Sequence, residues 1–388
     1  MSVEVHGSCD PKFEKVRAAF VENFRTRNEV GASVALTVDG ESVVDLWAGH
    51  ADQEQTQPWT RDTLVNVYST TKGMTAICAH QLVEQGRLDL DAPVARYWPE
   101  FEQSGKGTIP VRWLLSHRSG LAAARPLLPP ETLYDWDAIT GALAAQEPWW
   151  EPGTRHGYHA VTFGWLVGEV VRRITGKSLG TYFREAIAEP LGLDFHIGLP
   201  EAEHARAGEM SMIPGPDPGM EGTNLAEVIM SDPMGVQAMA FINPPSMALG
   251  PNNAPWRSAE IPGANGHGTA RSLARVYGAL ACGGDVDGVH VLDADAIARC
   301  HSEQSVGPDL VLGLSTRFGL GFMLSQPRPG ASFGPNPRAF GHPGAGGSVG
   351  FADPDARVGF GYTMNRMGPH ILLDPRAIAL IDAVYESL

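Results

Sequence analysis

The chain has 388 residues, and 29 Lys and Arg against 44 Asp and Glu give it a net charge of −15. Its length suits one large domain or two. So acidic a chain repels phosphate backbones and anionic lipid, and we therefore expect it to bind neither nucleic acid nor a membrane.

The N-terminal residues contain neither the basic region nor the apolar run of a signal peptide. The cysteines are scattered without metal-ligand spacing: Cys9, Cys78, Cys282 and Cys300. We therefore expect a cytoplasmic protein with reduced thiols, and no metal or cofactor.

The first part of the chain predicts a helix and then a hairpin. Its apolar residues recur at helical spacing: Phe13, Val16, Phe20 and Phe24. Two strand-like runs then meet at Asp39-Gly40, a dipeptide typical of tight hairpin turns. A second helix is predicted over 66–86, ended by Gly86.

The middle of the chain, 89–262, alternates short helical segments with loops rich in Pro and Gly. We interpret it as a mainly helical, loop-rich subdomain, in which 210–262 forms a flap-like segment over a site. Helix and strand patterns return after it, so 1–88 and 263–388 are predicted to form one discontinuous α/β domain. Hairpins rather than βαβ units indicate an antiparallel sheet with helices on its faces.

One lysine stands out within the predicted helix over 66–86. Lys72 is the only formally charged residue between Asp62 and Glu84, among neighbours that are mostly small or apolar. Ser69 lies three positions earlier and so shares its helix face, near an end where free N–H groups favour negative charge. A buried lysine with a depressed pKa can take a proton from a serine nucleophile. On spacing alone, a helix-capping serine beside a snorkelling lysine remains an alternative.

Five separated segments occur in this order along the chain: NVYSTTKGMTA, VRWLLSHRSGL, EPGTRHGYHAVTFGWLVGEVVRRITG, GHGTARSLARVY and GHPGAGGSVGFADPDARVG. Taken together, they resemble the serine β-lactamase and penicillin-binding-protein superfamily, and within it the family VIII carboxylesterases. The resemblance covers roughly 30–364. It implies an α/β (α+β) fold of the β-lactamase type, with a central antiparallel β-sheet flanked by helices and an inserted, mainly helical subdomain.

The first two family motifs imply a catalytic set. Ser69 would be the acylated nucleophile, and Lys72 would help to remove its proton. Tyr158 would share the base role as a phenolate, with a pKa lowered by the Lys72 ammonium, and would protonate the leaving alcohol. Ala160 stands where lactam-hydrolysing relatives carry an Asn that holds the substrate amide, which favours simple esters.

The third motif reads His342-Pro343-Gly344. The resemblance implies that His342 hydrogen-bonds Tyr158 or the substrate and that Gly344 lets the strand approach the acyl group. The backbone N–H of Ala345, with that of Ser69, would form the oxyanion hole. Pro343 departs from the family pattern, because it has no N–H and no hydroxyl to recognise a substrate carboxylate.

Other residues compete for a role. Ser348 lies in Gly-x-Ser-x-Gly, but the residues that follow it predict a strand rather than the helix of a nucleophile elbow. Trp149 and Trp150 could wall an acyl pocket or simply pack. We expect no zinc site, because no pair of histidines has convincing spacing.

The sequence therefore predicts a serine carboxylesterase that acts on a small-molecule ester with a short to medium acyl chain. An acyltransferase, a weak β-lactamase or D-amino-acid peptidase, and a non-catalytic binding protein remain alternatives. The oligomeric state is not indicated.

Overall fold

The computed structural model describes residues 3–213, 230–245, 250–328 and 330–388. Of the predicted flap-like segment 210–262, the stretches 214–229 and 246–249 lie outside the described residues. Its described parts include two short helices with buried side chains, among them Met239 and Trp256. The role of this segment as a flap stays a prediction.

The described residues form a large antiparallel sheet and several small ones. The strands are β1 (Val5–Cys9), β2 (Gly31–Val38), β3 (Glu41–Gly49), β4 (Val65–Asn66), β5 (Phe195–Ile197), β6 (Ser211–Met212), β7 (Gly266–Gly268), β8 (Asp285–Val286), β9 (Val289–His290), β10 (Ser305–Pro308), β11 (Ser315–Phe318), β12 (Met323–Leu324), β13 (Phe340–Pro343), β14 (Val349–Asp353), β15 (Val358–Met364) and β16 (Arg366–Met367). The large sheet has nine strands in the order β1-β3-β2-β15-β14-β13-β12-β11-β10. Every pair in it is antiparallel, which confirms the predicted sheet.

The helices cover both faces of this sheet and build the middle of the chain. They are α1 (Glu14–Thr26), α2 (Thr71–Glu84), α3 (Val111–Leu115), α4 (Trp136–Ala145), α5 (Thr162–Thr175), α6 (Leu179–Phe183), α7 (Glu189–Leu191), α8 (Val236–Ile242), α9 (Ala254–Ser258), α10 (Ala270–Ala281), α11 (Ala294–Cys300) and α12 (Pro375–Tyr385). Within the described ranges, no helix is both long enough and apolar enough to cross a membrane.

Among the described residues, two large hydrophobic cores lie on opposite sides of the sheet. Helices α1 and α12 pack together over one face, and α10 packs on the other face against β15, β2 and β14. The close approach of α10 depends on glycine, because a Cβ at Gly359 would lie 2.2 Å from the backbone nitrogen of Gly278. The second core surrounds α2 and α5, so α2 lies between the sheet and the helical part of the chain.

The chain order of these elements agrees with much of the sequence analysis. The turn at Asp39-Gly40 has positive φ at both residues, as the hairpin prediction requires. The large sheet takes strands only from 5–49 and 305–364, and helices dominate between Thr71 and Leu191. The domain boundaries at 88–89 and 262–263 stay a prediction.

The predicted start of the second helix was wrong. Residues Val65–Asn66 form the short strand β4, and α2 begins only at Thr71. Between them Tyr68 adopts a left-handed backbone with φ of 45°, which no helix accommodates. The predicted end is close, since α2 stops at Glu84 and Gly86 has φ of 68°.

Candidate active site

Ser69 lies in a tight turn that leads into α2. The backbone N–H of Thr71 donates to the Tyr68 carbonyl at 3.0 Å, and the N–H of Lys72 donates to the Ser69 carbonyl at 2.9 Å. Ser69 is partly exposed, whereas Thr70 is buried. The left-handed residue Tyr68 thus turns the chain so that Ser69 is presented outside the helix, and such local strain is common at active sites.

Lys72 is fully buried, and its amine contacts three oxygens. Its Nζ lies 3.1 Å from Ser69 Oγ and 2.7 Å from each of the carbonyl oxygens of Ala160 and Gly263. Burial lowers the pKa of Lys72 well below its usual value, because the ammonium loses its hydration. A neutral amine has two N–H groups, which satisfy the two carbonyls, and one lone pair, which then faces the Ser69 hydroxyl.

Tyr158 completes this cluster. Its ring centroid lies 4.7 Å from Lys72 Nζ, and its phenol is close enough to the Ser69 side chain for that side chain to influence its pKa. The ring stacks on Phe318 with centroids 6.1 Å apart and lies 5.1 Å from the ring of His117. The structure therefore brings the three predicted catalytic side chains together.

The surroundings of Tyr158 oppose the predicted phenolate, whose part in the reaction stays a prediction. Burial raises the pKa of Tyr158 well above its usual value; the nearby Ser69 side chain lowers it by less, and the charge of Asp309 raises it further. Burial also lowers the pKa of Lys72, which favours the neutral amine over the ammonium that the prediction invokes. These directions favour Lys72 as the base and Tyr158 as a proton donor.

His342 lies on β13, beside Tyr158, and is buried. Its Nδ1 donates to the Pro343 carbonyl at 2.7 Å, which leaves Nε2 unprotonated, and burial lowers its pKa to about 3. Nε2 has no hydrogen-bond partner in the part of the chain that the structure describes. The predicted hydrogen bond to Tyr158 is therefore absent there, with ring centroids 5.9 Å apart, while a bond to the substrate stays a prediction.

Gly344 marks where the end of β13 meets the turn before α2. A Cβ on Gly344 would lie 2.2 Å from both Ser348 Oγ and the Val67 carbonyl oxygen, so only glycine fits. This contact holds the end of β13 against the residues that precede α2. The predicted approach of Gly344 to the acyl group of a substrate stays a prediction.

The two backbone groups predicted for the oxyanion hole are available. Across 3–213, 230–245, 250–328 and 330–388, the N–H groups of Ser69 and Ala345 donate to no protein acceptor. Most backbone N–H groups in such a fold are paired, so unpaired ones beside a serine hydroxyl are notable. Their joint role as an oxyanion hole stays a prediction.

Ser348 is not placed as a nucleophile. It is buried, and its hydroxyl donates to the Val67 carbonyl at 2.8 Å. The strand β14 begins at the next residue, so the strand-to-helix turn of a nucleophile elbow is not formed. The rejection of this motif in the sequence analysis agrees with the structure.

Trp149 and Trp150 lie near the segment that carries Tyr158. The indole of Trp149 donates to the Ala123 carbonyl at 2.8 Å, and Arg125 lies 4.6 Å above its ring. The ring of Trp150 meets His159 edge-on at 6.1 Å. Both tryptophans are partly buried and pack against protein, and their role in an acyl pocket stays a prediction.

Sequence reasoning missed several groups that hold the site together. The carbonyls of Ala160 and Gly263 carry no side-chain signal at all, yet they fix the Lys72 amine. Asp309 was also missed, although an aspartate that follows Gly-Pro and precedes a short apolar loop is a recognisable turn signal.

Comparison with known proteins identifies the family and the class of enzyme. The family model "Beta-lactamase" matches residues 17–383, so the chain belongs to the beta-lactamase family. The esterase/beta-lactamase LipL of Mycobacterium tuberculosis is 36% identical over 390 aligned positions, which cover 95% of this chain and 85% of that protein.

Solved structures agree with this assignment. A family VIII carboxylesterase is 46% identical, with a TM-score of 0.91, covering 99% of this chain and 100% of that one. A penicillin-binding protein homolog from Caulobacter crescentus is 41% identical, with a TM-score of 0.90 and the same coverage. The predicted family, the β-lactamase-like fold and the class of serine hydrolase are confirmed.

Proposed function

We propose that the chain is a carboxylesterase that hydrolyses short- to medium-chain esters through an acyl-Ser69 intermediate. The observation that carries this proposal is the contact of 3.1 Å between Ser69 Oγ and the fully buried amine of Lys72. The names of the relatives, an esterase/beta-lactamase and a family VIII carboxylesterase, support it. The partner is then a small-molecule ester, and the residues named here need no cofactor.

Acylation begins with removal of the Ser69 proton. The lone pair of the neutral Lys72 amine accepts this proton while Ser69 Oγ attacks the ester carbonyl carbon. The two carbonyls that hold the amine then also stabilise the new ammonium, since each accepts a hydrogen bond at 2.7 Å. The oxyanion that forms on the substrate is held by the N–H groups of Ser69 and Ala345.

The leaving alcohol takes its proton from Tyr158. As the C–O bond of the ester breaks, the phenol donates its proton to the alkoxide, and the Lys72 ammonium then reprotonates the phenolate. The net result is transfer of the Ser69 proton to the departing alcohol. Water then attacks the acyl-Ser69 carbonyl, and the same amine accepts a proton from that water. As the bond between the acyl carbon and Ser69 Oγ breaks, the Lys72 ammonium returns this proton to Ser69 Oγ, which releases the carboxylic acid and restores the free enzyme.

The departures from the family pattern support esters over lactams. Ala160 offers a methyl group where the resemblance implies an amide side chain, and its carbonyl is already bonded to Lys72. Pro343 has no N–H, and its carbonyl accepts the hydrogen bond from His342. Neither position can bind the amide or the carboxylate of a lactam substrate through a side-chain hydrogen bond.

The proposal is tested with p-nitrophenyl acetate, p-nitrophenyl butyrate and nitrocefin in parallel. We expect kcat/KM for the two esters to exceed that for nitrocefin by at least about 100-fold, since missing polar contacts cost this much in selectivity. Equal turnover of nitrocefin would indicate a β-lactamase instead. No turnover of any of the three would favour an acyltransferase or a binding protein.

We also propose a cytoplasmic location. The four cysteines are all unpaired, and two of them, Cys78 and Cys300, are buried as small apolar side chains. Free thiols are typical of reducing compartments. Imaging of a fluorescent fusion in the native host tests the location, and a periplasmic or secreted signal would contradict it.

Replacing Ser348 with alanine is expected to leave ester turnover within about 3-fold of wild type. The change removes two buried hydrogen bonds, with the Val67 carbonyl and with the Thr70 hydroxyl, and so lowers the free energy of unfolding by about 2 kcal/mol. Steady-state kinetics with p-nitrophenyl butyrate and thermal unfolding measure both effects. A loss of turnover beyond about 100-fold would restore Ser348 as the nucleophile.

A further inference from the structure

Asp309 is a buried carboxylate in the loop between β10 and β11, and it lies outside the residues so far given a role. It is 3% exposed, although it lies on the hairpin that forms one edge of the large sheet. In the described residues it forms no ion pair with a lysine or arginine. A carboxylate in such a place must be stabilised by hydrogen bonds alone.

Four donors surround this carboxylate. Its Oδ1 accepts from the backbone N–H groups of Tyr158 at 3.0 Å, Val311 at 2.8 Å and Leu312 at 2.9 Å. Its Oδ2 accepts from the Thr316 hydroxyl at 3.1 Å. Three of these donors belong to its own hairpin, and only the Tyr158 N–H comes from elsewhere, 151 residues earlier in the sequence.

The bond to Tyr158 is part of a larger attachment between the hairpin and the segment 156–158. The Leu310 N–H donates to the His156 carbonyl at 3.1 Å, and His156 Nε2 lies 2.9 Å from Thr316 Oγ1. Phe318, at the end of the hairpin, stacks on the Tyr158 ring with an interplanar angle of 7°. The hairpin therefore fixes both the backbone and the ring plane of Tyr158.

If Asp309 only capped the turn of its own hairpin, its hydrogen bond from the Tyr158 N–H would not be needed. The N–H groups of Val311 and Leu312 satisfy such a role, as in other aspartate turns. The additional bond from the Tyr158 N–H links the hairpin to a residue whose ring lies 4.7 Å from the Lys72 amine. The position of the Tyr158 ring in the site is therefore tied to the hairpin that carries Asp309.

We propose that Asp309 is a positioning residue that aims the Tyr158 phenol at the oxygen of the leaving alcohol. This inference rests on the proposed esterase function. The rate of proton transfer falls steeply as the donor and acceptor move apart or out of alignment. A displaced phenol therefore donates its proton slowly even when its surroundings are otherwise intact. An alkoxide needs that proton in order to leave, whereas p-nitrophenolate leaves readily without it.

The test compares two esters of the same acid, ethyl butyrate and p-nitrophenyl butyrate, because they share the acyl-enzyme and differ in the leaving group. We expect Asp309→Ala to lower kcat/KM for ethyl butyrate by about 30-fold or more and that for p-nitrophenyl butyrate by less than about 5-fold. Asp309→Asn retains an oxygen acceptor for the backbone N–H groups, and we expect it to restore ethyl butyrate turnover to within about 5-fold.

Asp309→Glu keeps the charge but moves the carboxylate by one methylene, and we expect the same selective loss on ethyl butyrate. It serves as the decisive variant if Asp309→Ala does not fold. The matched control is Asp353→Ala, because Asp353 is also a buried hairpin carboxylate that accepts backbone N–H groups, those of Asp355 and Ala356. We expect this control to leave the ratio of the two esters unchanged.

An equal loss on both esters in the Asp309 variants, or no loss, would overturn the inference while the esterase function stands. The same ratio change in Asp353→Ala would also overturn it, because general destabilisation would then explain the effect. Failure of the wild type to turn over either ester would instead overturn the proposed function, and the inference with it.

Discussion

Ser69→Ala is expected to lower kcat/KM for p-nitrophenyl butyrate by about 10,000-fold or more, since within the described residues only the Ser69 hydroxyl is hydrogen-bonded to the Lys72 amine. The fold should persist, because Ser69 is partly exposed and the change removes only one hydroxyl. Steady-state kinetics and thermal unfolding measure both effects. Retention of more than about a tenth of wild-type turnover would show that Ser69 is not the nucleophile.

Covalent labelling gives an independent check on Ser69. A fluorophosphonate should add one label to the wild type and to the Ser348→Ala variant, and none to Ser69→Ala. Intact-protein mass spectrometry measures the number of labels on each protein from the added mass. A label on Ser69→Ala, located to Ser348 by peptide mapping, would reverse the assignment of the nucleophile.

Lys72→Met is expected to lower kcat/KM by about 1,000-fold, because the methionine side chain fills the same space and has no basic nitrogen. In the wild type, kcat/KM should rise with pH as the Lys72 ammonium loses its proton, and the depressed pKa places this rise far below that of an ordinary lysine. The variant should lose that dependence. If it retains half of the wild-type rate, the proposed base is wrong.

Lys72→Met should also change how the free energy of unfolding depends on pH. The pKa of Lys72 in the folded chain lies below its unfolded value of about 10.4, so between the two values the unfolded chain binds more protons. Wild-type stability therefore gains from Lys72 as pH rises through that window, and Lys72→Met lacks the gain. Thermal unfolding of both proteins at pH 7 and pH 9.5 tests this. We expect the melting temperature of the wild type, relative to that of Lys72→Met, to be higher at pH 9.5 than at pH 7.

The sequence predicted the fold and the side chains of the cluster well, for physical reasons that can be named. A lone lysine in a charge-free helix is costly unless it is used, and Lys72 proved to be fully buried beside Ser69. The hairpin at Asp39-Gly40 follows from local turn chemistry. Such features depend on residues close together in the chain, which a sequence shows directly.

The errors arose where distant residues decide the outcome. The left-handed conformation of Tyr68 accompanies a bridge to Asn265, so the start of α2 is set by tertiary contacts. The pKa of Tyr158 is raised by burial and by the charge of Asp309, which lies 151 residues away. No local pattern around either tyrosine contains this information.

The carbonyls that hold the Lys72 amine have a consequence for how the chain folds. They lie 88 and 191 residues away in sequence, at Ala160 and Gly263. Contacts across such separations close large loops and form slowly compared with the helix that carries Lys72. We therefore expect ester turnover to be regained later during refolding than the helical signal, because turnover requires these long-range contacts.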